Sequence, residues 1–218
     1  MYFASRVQAG RMLAGRMVEQ YRYENCIVLA LSDGGAMVGA QIAAALHCAM
    51  ELLLTEEIDL PNEPDAVGGI AEDGSFSFNP FYSPGVIDEF VSEYFQFIEA
   101  EKLSKLQKLH RQIGETITLK KSLLKGHNVI LVSDGLKSGF ALDIAASFLK
   151  PIAVEKMIIA TPLASVKAVD RMHVVADELY VLSVIDEYIS TEHYYDKDDV
   201  PDHDTVVSTV QKIIMNWH

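Results

Sequence analysis

Val129-Ile130-Leu131-Val132-Ser133-Asp134-Gly135-Leu136-Lys137-Ser138-Gly139-Phe140-Ala141 decides the reading of this chain. Four apolar residues read as a buried strand, an acid follows, and a short loop of small residues leads to Leu142–Leu149 (LDIAASFL), which reads as a helix. Strand, small-residue loop and helix start together make an anion cradle. Backbone N–H groups and the positive end of the helix dipole point into such a loop. Gly139 lets an anion approach the backbone, and Ser138 beside it presents a further N–H. Asp134 is placed to hold sugar hydroxyls next to a phosphate, or to cap the helix that follows. Lys137 neutralises the anion or points to solvent. Phe140 reads as a packed aromatic that narrows the cradle.

Outward from this stretch, strands and helices alternate. Residues 5–20 read as an amphipathic helix with Ala9, Met12, Leu13 and Met17 on one face. Cys26–Leu31 reads as a strand, Met37–Leu46 as a helix and Met50–Leu54 as a second strand. Pro61 and Pro64 mark a loop, and Ala66–Ala71 with Ser75–Phe78 form a hairpin across Asp73-Gly74. A long helix is expected from Val86 to Ile117, apolar at Val91, Phe95, Ile98, Leu103, Leu106 and Leu109. Strands follow at 128–132, Lys156–Ala160 and Leu179–Leu182, with helices at Ser165–Val174 and Thr205–Asn216. This order gives one α/β domain over residues 1–218: a mostly parallel sheet with helices on both faces, plus a small hairpin and a long helix.

The opening stretch resembles the phosphoribosyl pyrophosphate motif of type I phosphoribosyltransferases: four apolar residues, two acids, then small, apolar, small, Thr, Gly, small and Thr. Phe3–Leu13 (FASRVQAGRML), Val28–Ala45 and Pro61–Gly74 (PNEPDAVGGIAEDG) are similar, in the same order, to a bacterial stand-alone branch of that family. The resemblance implies the type I phosphoribosyltransferase fold. It also implies a glycosyltransferase of nucleotide metabolism that moves a phosphoribosyl group from a Mg²⁺-bound diphosphate donor to a nitrogenous base. On that likeness Ser133, Asp134, Gly135, Lys137, Ser138, Gly139, Phe140 and Ala141 correspond to the ribose-phosphate loop, with Asp134 as the candidate metal residue. Asp33, Gly34 and Gly35 correspond to the pyrophosphate loop.

Several residues depart from the family pattern. Ser133 stands for the first acid of the motif, and Phe140 and Ala141 for its closing small residues, so the last hydroxyl is gone. Ser32-Asp33-Gly34-Gly35 stands where the pattern has Pro-Arg-Gly-Gly, Glu56-Glu57 where it has Arg-Lys, and Ser5 for the Asp before Arg6. Ligands of such sheets bind outside the carboxyl ends of the strands. The residues read there are Asp33, Glu56, Glu57, Asp134, Asp186 and Glu187 against Lys137 alone. Each extra like charge at about 4 Å costs a hydrated diphosphate about 1 kcal/mol. One Mg²⁺ offsets about two charges but does not replace an Arg fork.

Eighteen Lys and Arg against 31 Asp and Glu give a net charge of −13, which argues against nucleic acid and anionic membranes as partners. Cys26 and Cys48 lack metal or redox spacing and read as free thiols of a reducing, cytoplasmic compartment. The 192–204 segment mixes two His with carboxylates in a spacing that fits no specific metal site. Tyr194-Tyr195 is a candidate cover for the site, with loop packing as its alternative. The foremost expectation is a family member with a degraded pyrophosphate site that binds a phosphorylated ribose or nucleotide without efficient transfer. A Mg²⁺-dependent phosphoribosyltransferase with altered substrate and a non-catalytic interaction subunit are the alternatives. A homo-oligomer, a homodimer through the long helix, is expected.

Overall fold

The computed structural model describes residues 2–63, 65–113 and 119–215. In chain order its elements are α1 (Arg6–Tyr21), β1 (Cys26–Ala30), α2 (Asp33–Leu46), β2 (Ala49–Leu52), β3 (Thr55–Ile58), β4 (Gly68–Ala71), β5 (Phe76–Phe78), α3 (Pro84–Ile113), α4 (Lys121–Leu124), β6 (Asn128–Val132), α5 (Phe140–Leu149), β7 (Lys156–Ser165), α6 (Val166–Val175), β8 (Glu178–Ile185), a single 3-10 turn (Glu192–Tyr194) and α7 (His203–Met215). Two compact units share them. The first comprises Met1–Leu53, Leu119–Gly139 and Ile152–His218; the second comprises Leu54–Thr118 and Phe140–Pro151.

The first unit holds a five-stranded sheet in the order β2-β1-β6-β7-β8, every neighbouring pair parallel. All five residues of β1 and all five of β6 are buried, including their alternate side chains. A strand covered on both faces needs an unbroken apolar run, as CIVLA and NVILV nearly provide. The second unit is an antiparallel sheet, β3-β4-β5, against which α3 and α5 pack. Ile58, Leu60, Val67 and Ile98 form its core.

Five details differ from the sequence expectation. The helix expected from Met37 starts at Asp33, because the Ser32 hydroxyl accepts from Gly35 N (2.9 Å) and caps it. The residues expected as an open Ser32–Gly35 loop are therefore a cap and a first turn. Likewise α5 begins at Phe140 rather than Leu142, so Phe140 and Ala141 are helical and Phe140 is buried. Thr55–Ile58 is a strand of the hairpin sheet, pairing Glu56 with Ile70 and Glu57 with Gly69, so these acids sit in the antiparallel sheet of the second unit. Strands β7 and β8 run to Ser165 and Ile185, which places Thr161, Pro162 and Ser183 inside strands rather than at their ends.

The fifth difference is the long helix. It bends at Tyr94 (φ −113°, ψ 19°) and buries Ile98 and Leu109, whereas Phe95 and Leu103 are more than half exposed. Leu103 stands about 140° round the helix from Ile98, off the packed stripe. The expected end at Ile117, Asn216 at the end of the last helix, and Pro64 lie outside the described residues. On α1, Ala9, Leu13 and Met17 are buried as expected of one face, but Met12 is exposed. No helix among the described residues is long and apolar enough to cross a membrane.

Both cysteines are free and buried. Burial pushes the Cys26 thiol up to about 11 and the Cys48 thiol up to about 12, from an ordinary 9.0. A raised thiol pKa favours the folded state while the group stays protonated. The contribution is whole below about pH 9 and is lost as pH rises towards 11 and 12. Urea midpoints measured from pH 8 to 11.5 are expected to fall above pH 9, with a shallower fall in Cys26→Ala/Cys48→Ala. Identical slopes in the two proteins would show that the thiols carry none of it.

Candidate functional site

The loop that follows β6 is held as an extension of the sheet. Leu136 N donates to Leu163 O (2.9 Å) and Ser165 N to Leu136 O (2.9 Å). Ser165 fixes it further: its hydroxyl donates to Lys137 O (2.5 Å) and accepts from Ala168 N (3.0 Å) as the cap of α6. Ser133 closes the near end, donating to Gly135 O (2.9 Å) and accepting from Gly135 N (3.3 Å). Gly139 has φ +78°, and a Cβ there would come within 3.2 Å of Arg171 Cβ. The positive φ is strained for other residues and the approach is tight, so both favour glycine at that position. Lys137 is exposed and Ser138 half-buried.

Asp134, at the start of this loop, is buried, and each of its carboxylate oxygens accepts one hydrogen bond. Arg6 Nε donates to its Oδ2 (2.7 Å), and Ser32 Oγ to its Oδ1 (3.1 Å). The Tyr195 hydroxyl donates to the Asp134 backbone carbonyl (2.6 Å), and the Tyr195 ring lies 4.6 Å from the Arg6 guanidinium carbon. Arg6 is 2% exposed and meets two more acids: Nη1 donates to Asp198 Oδ1 (3.2 Å) and Asp199 Oδ1 (3.4 Å). Burial disfavours its charge, but the bonds to Asp134 and Asp199 outweigh that and hold the guanidinium above its usual pKa. Burial first, and the Asp134 charge second, push the Tyr195 hydroxyl up, so it stays a donor. Burial likewise pushes Tyr188 up to about 12.

The reversal at Asp33 has a partner. His203 Nδ1, on α7, lies 2.8 Å from Asp33 Oδ1, while Nε2 of the same ring is buried without a hydrogen-bond partner among the described residues. Asp33 also occupies the first turn of α2, where a negative charge meets the positive end of the helix dipole. Glu56, in the second unit, is bonded to Lys105 (3.2 Å) and Lys108 (2.5 Å). Burial, then the neighbouring acids, raise the pKa of Glu57.

Between these groups in the first unit lies a cavity of about 350 Å³ whose charged and hydroxyl walls include Arg6, Ser32, Asp33, Asp134, Glu192 and Asp198. It holds four carboxylates and one guanidinium. Gly34 completes the wall. A Cβ on Gly34 would fall 2.0 Å from Asp134 Oδ2 and 2.9 Å from Arg6 Nε, so the ion pair needs a hydrogen at this position.

Of the residues expected to bind ligand, Asp33, Gly34 and Asp134 are brought together here. Gly35 lies one residue on in α2, and Ser133, Gly135, Lys137, Ser138 and Gly139 form the loop without entering the cavity wall. Thr191 and Val200 are wall residues that sequence reasoning missed; Ser32 enters it only through the Ser32–Gly35 stretch, and Glu192 and Asp198 only within the 192–204 segment. For Ser32 the cap position before a Gly-Gly helix start is a readable signal. Nothing local marks Asp198.

No group of three His, Cys, Asp or Glu among the described residues is arranged to hold a metal ion. Each carboxylate oxygen of Asp134, the candidate metal residue, accepts one hydrogen bond, which leaves lone pairs on both.

Residues 3–198 match the family model described as phosphoribosyl transferase domain. Proteins provisionally named phosphoribosyl transferases in two strains of Mycobacterium tuberculosis are 26% identical over 183 residues, covering 83% of this chain and 40% of theirs. The chain thus spans less than half the length of these relatives. Among solved structures, TT1426 of Thermus thermophilus is similar in fold, with a TM-score of 0.74 at 24% identity, covering 100% of this chain and 99% of that one.

Gly34→Ala is expected to break the Arg6–Asp134 contact and lower stability by about 3 kcal/mol, the cost of leaving a buried charge unpaired. Its urea midpoint should fall well below that of Gly15→Ala, a glycine with nothing near its Cβ position. Ser165→Ala removes a helix cap, worth about 1 kcal/mol. For a chain of this size that lowers the thermal midpoint by about 3 °C. Amide exchange at Leu136 and Lys137 should quicken in the same variant, and an unchanged midpoint would mean the cap is idle.

Proposed function

The chain belongs to the phosphoribosyl transferase domain family, and from that premise we propose that it binds a phosphorylated ribose or a nucleotide and transfers it poorly or not at all. The ligand's phosphate lies on the Ser133–Gly139 loop and its sugar hydroxyls against Asp134. One observation carries this reading. The cavity beside the loop has four carboxylates to one guanidinium, and that guanidinium is already met by Asp134, Asp198 and Asp199.

Phosphoribosyl transfer from a diphosphate donor passes through an oxocarbenium-like state. Its rate rests on positioning the donor and stabilising the diphosphate as it leaves. A diphosphate entering this cavity gains no uncommitted Arg fork, and it meets like charge from Asp33, Glu192 and Asp198, each costing about 1 kcal/mol if well hydrated. A monophosphate on the backbone loop avoids most of that repulsion. A Mg²⁺ bound to a diphosphate donor would offset about two of its charges and keep several waters. A second reading, a Mg²⁺-dependent transferase with altered substrate, is favoured by the same acids, which suit a diphosphate whose charge is already offset.

Calorimetric titration with phosphoribosyl pyrophosphate and with AMP, each with and without Mg²⁺, separates the two. Saturable AMP binding, no Mg²⁺-dependent gain for the diphosphate, and pyrophosphate release no faster than from Asp134→Ala are expected. Tight, Mg²⁺-dependent diphosphate binding with release that Asp134→Ala abolishes would establish the transferase instead. Binding of neither ligand would leave the chain as an interaction subunit.

A further inference from the structure

The segment 196–200 is a strap tied at both ends. At one end Asp196 N donates to Phe3 O (2.9 Å), continuing the bridge between Phe3 and Tyr195. At the other, Asp202 caps α7 through Thr205 N (3.0 Å) and the Thr205 hydroxyl (2.9 Å). Between these ties, every hydrogen bond and ion pair that the described structure gives to residues 197–200 goes to Arg6. Asp198 Oδ1 takes Nη1, Asp199 Oδ1 takes the same Nη1, and both Asp199 oxygens meet the Arg6 backbone N–H (3.2 and 3.1 Å). Two adjacent carboxylates thus sit on one guanidinium edge and on the first N–H of α1.

Those donors are the ones a phosphate takes: a charged fork and an amide at a helix start. The two sides of the guanidinium are held unequally. On the inner side Nε meets Asp134, whose side chain is 12% exposed, and the Tyr195 ring fixes the plane. On the outer side Asp198 is 73% exposed, so solvent screens its attraction and the contact is easily exchanged. Asp198 and the neighbouring Val200 also line the cavity. Arg6 and Asp198 both line the cavity, so the strap takes up the outer face of the one cation in its wall.

We propose that Asp198 and Asp199 act as an internal anion that occupies the outer face of Arg6 and blocks the cavity, so that a ribose phosphate or nucleotide whose phosphate sits on the Ser133–Gly139 loop must displace the strap to bring its sugar against Asp134. The inference rests on the phosphate-binding reading above and adds its regulation. Ligand binding displaces the strap from Arg6; removing the strap's charge frees the site. The apparent affinity of the parent chain is reduced by the fraction of molecules with the strap closed.

The test uses the full chain with AMP and inorganic pyrophosphate as probes, in the parent, Asp198→Asn and Asp198→Asn/Asp199→Asn. Asn keeps an acceptor for the Arg6 N–H, so α1 keeps its first contact. The double variant is expected to bind AMP about tenfold more tightly, the ratio for a strap closed in about nine molecules of ten. Asp198→Asn, altering an exposed side chain, should shift affinity the same way by less. In the parent, saturating AMP should speed amide exchange across residues 197–200. Equal affinities in all three proteins, with exchange unchanged by AMP, would overturn the strap while leaving the phosphate-binding reading intact. Absence of binding of either probe to any of the three would overturn both. A double variant that melts early is judged by Asp198→Asn alone, where no shift in affinity overturns the strap.

Discussion

A guanidinium with 2% of its side chain exposed stays charged only if anions replace the water it has lost, and Arg6 meets that requirement first through Asp134. The pair joins residues 128 positions apart, the first residue of α1 and the residue just beyond β6 and Ser133. Everything near it is arranged to keep it. Ser32 satisfies the second Asp134 oxygen and at the same time starts α2; Tyr195 covers the guanidinium with its ring and bonds the Asp134 carbonyl with its hydroxyl. Removing either partner of such a pair leaves a buried charge costing about 3–5 kcal/mol. Two helices, the central strand and the tail are thereby committed to one geometry, and the cavity wall is a by-product of that commitment.

The residues that depart from the family pattern look different once this network is seen. Ser5 and Ser32 each cap a helix, accepting from Gln8 N (3.1 Å) and Gly35 N (2.9 Å). Ser133 ties its own loop through Gly135. Asp33 faces His203. Each has a structural partner, so the changes form a self-consistent set of contacts. The acidity of the cavity persists even so, because these contacts use hydroxyls and one imidazole and add no cation able to fork a diphosphate.

How much of this was legible follows from range. The buried run at 128–132 and the alternation of strand and helix are local signals, and they carry the central sheet and its order of elements. Strand β3 was not legible: Thr-Glu-Glu-Ile carries two acids in four residues, and it becomes a strand because Gly68–Ala71 pairs with it. Helix starts at Asp33 and Phe140 lie earlier than periodicity suggests, because a cap and a packed aromatic extend each helix into residues that resemble a loop. The Asp33–His203 contact spans 170 residues, and no spacing rule reaches that far.

The parallel order β2-β1-β6-β7-β8 places the earliest strand inside the sheet, beside the central one, which begins about a hundred residues later. Arg6 likewise finds two of its acids 192 and 193 residues downstream. Closing such long loops costs entropy before any contact repays it, and topologies of this kind form slowly. During synthesis on the ribosome, α1 can coil as soon as it emerges, but its arginine waits for Asp134 and then for the tail. The pocket is accordingly incomplete until the segment 191–200 has emerged. Until then Arg6 stays hydrated and the sheet is half-built, and its exposed apolar surface and strand edges are what chaperones and proteases meet.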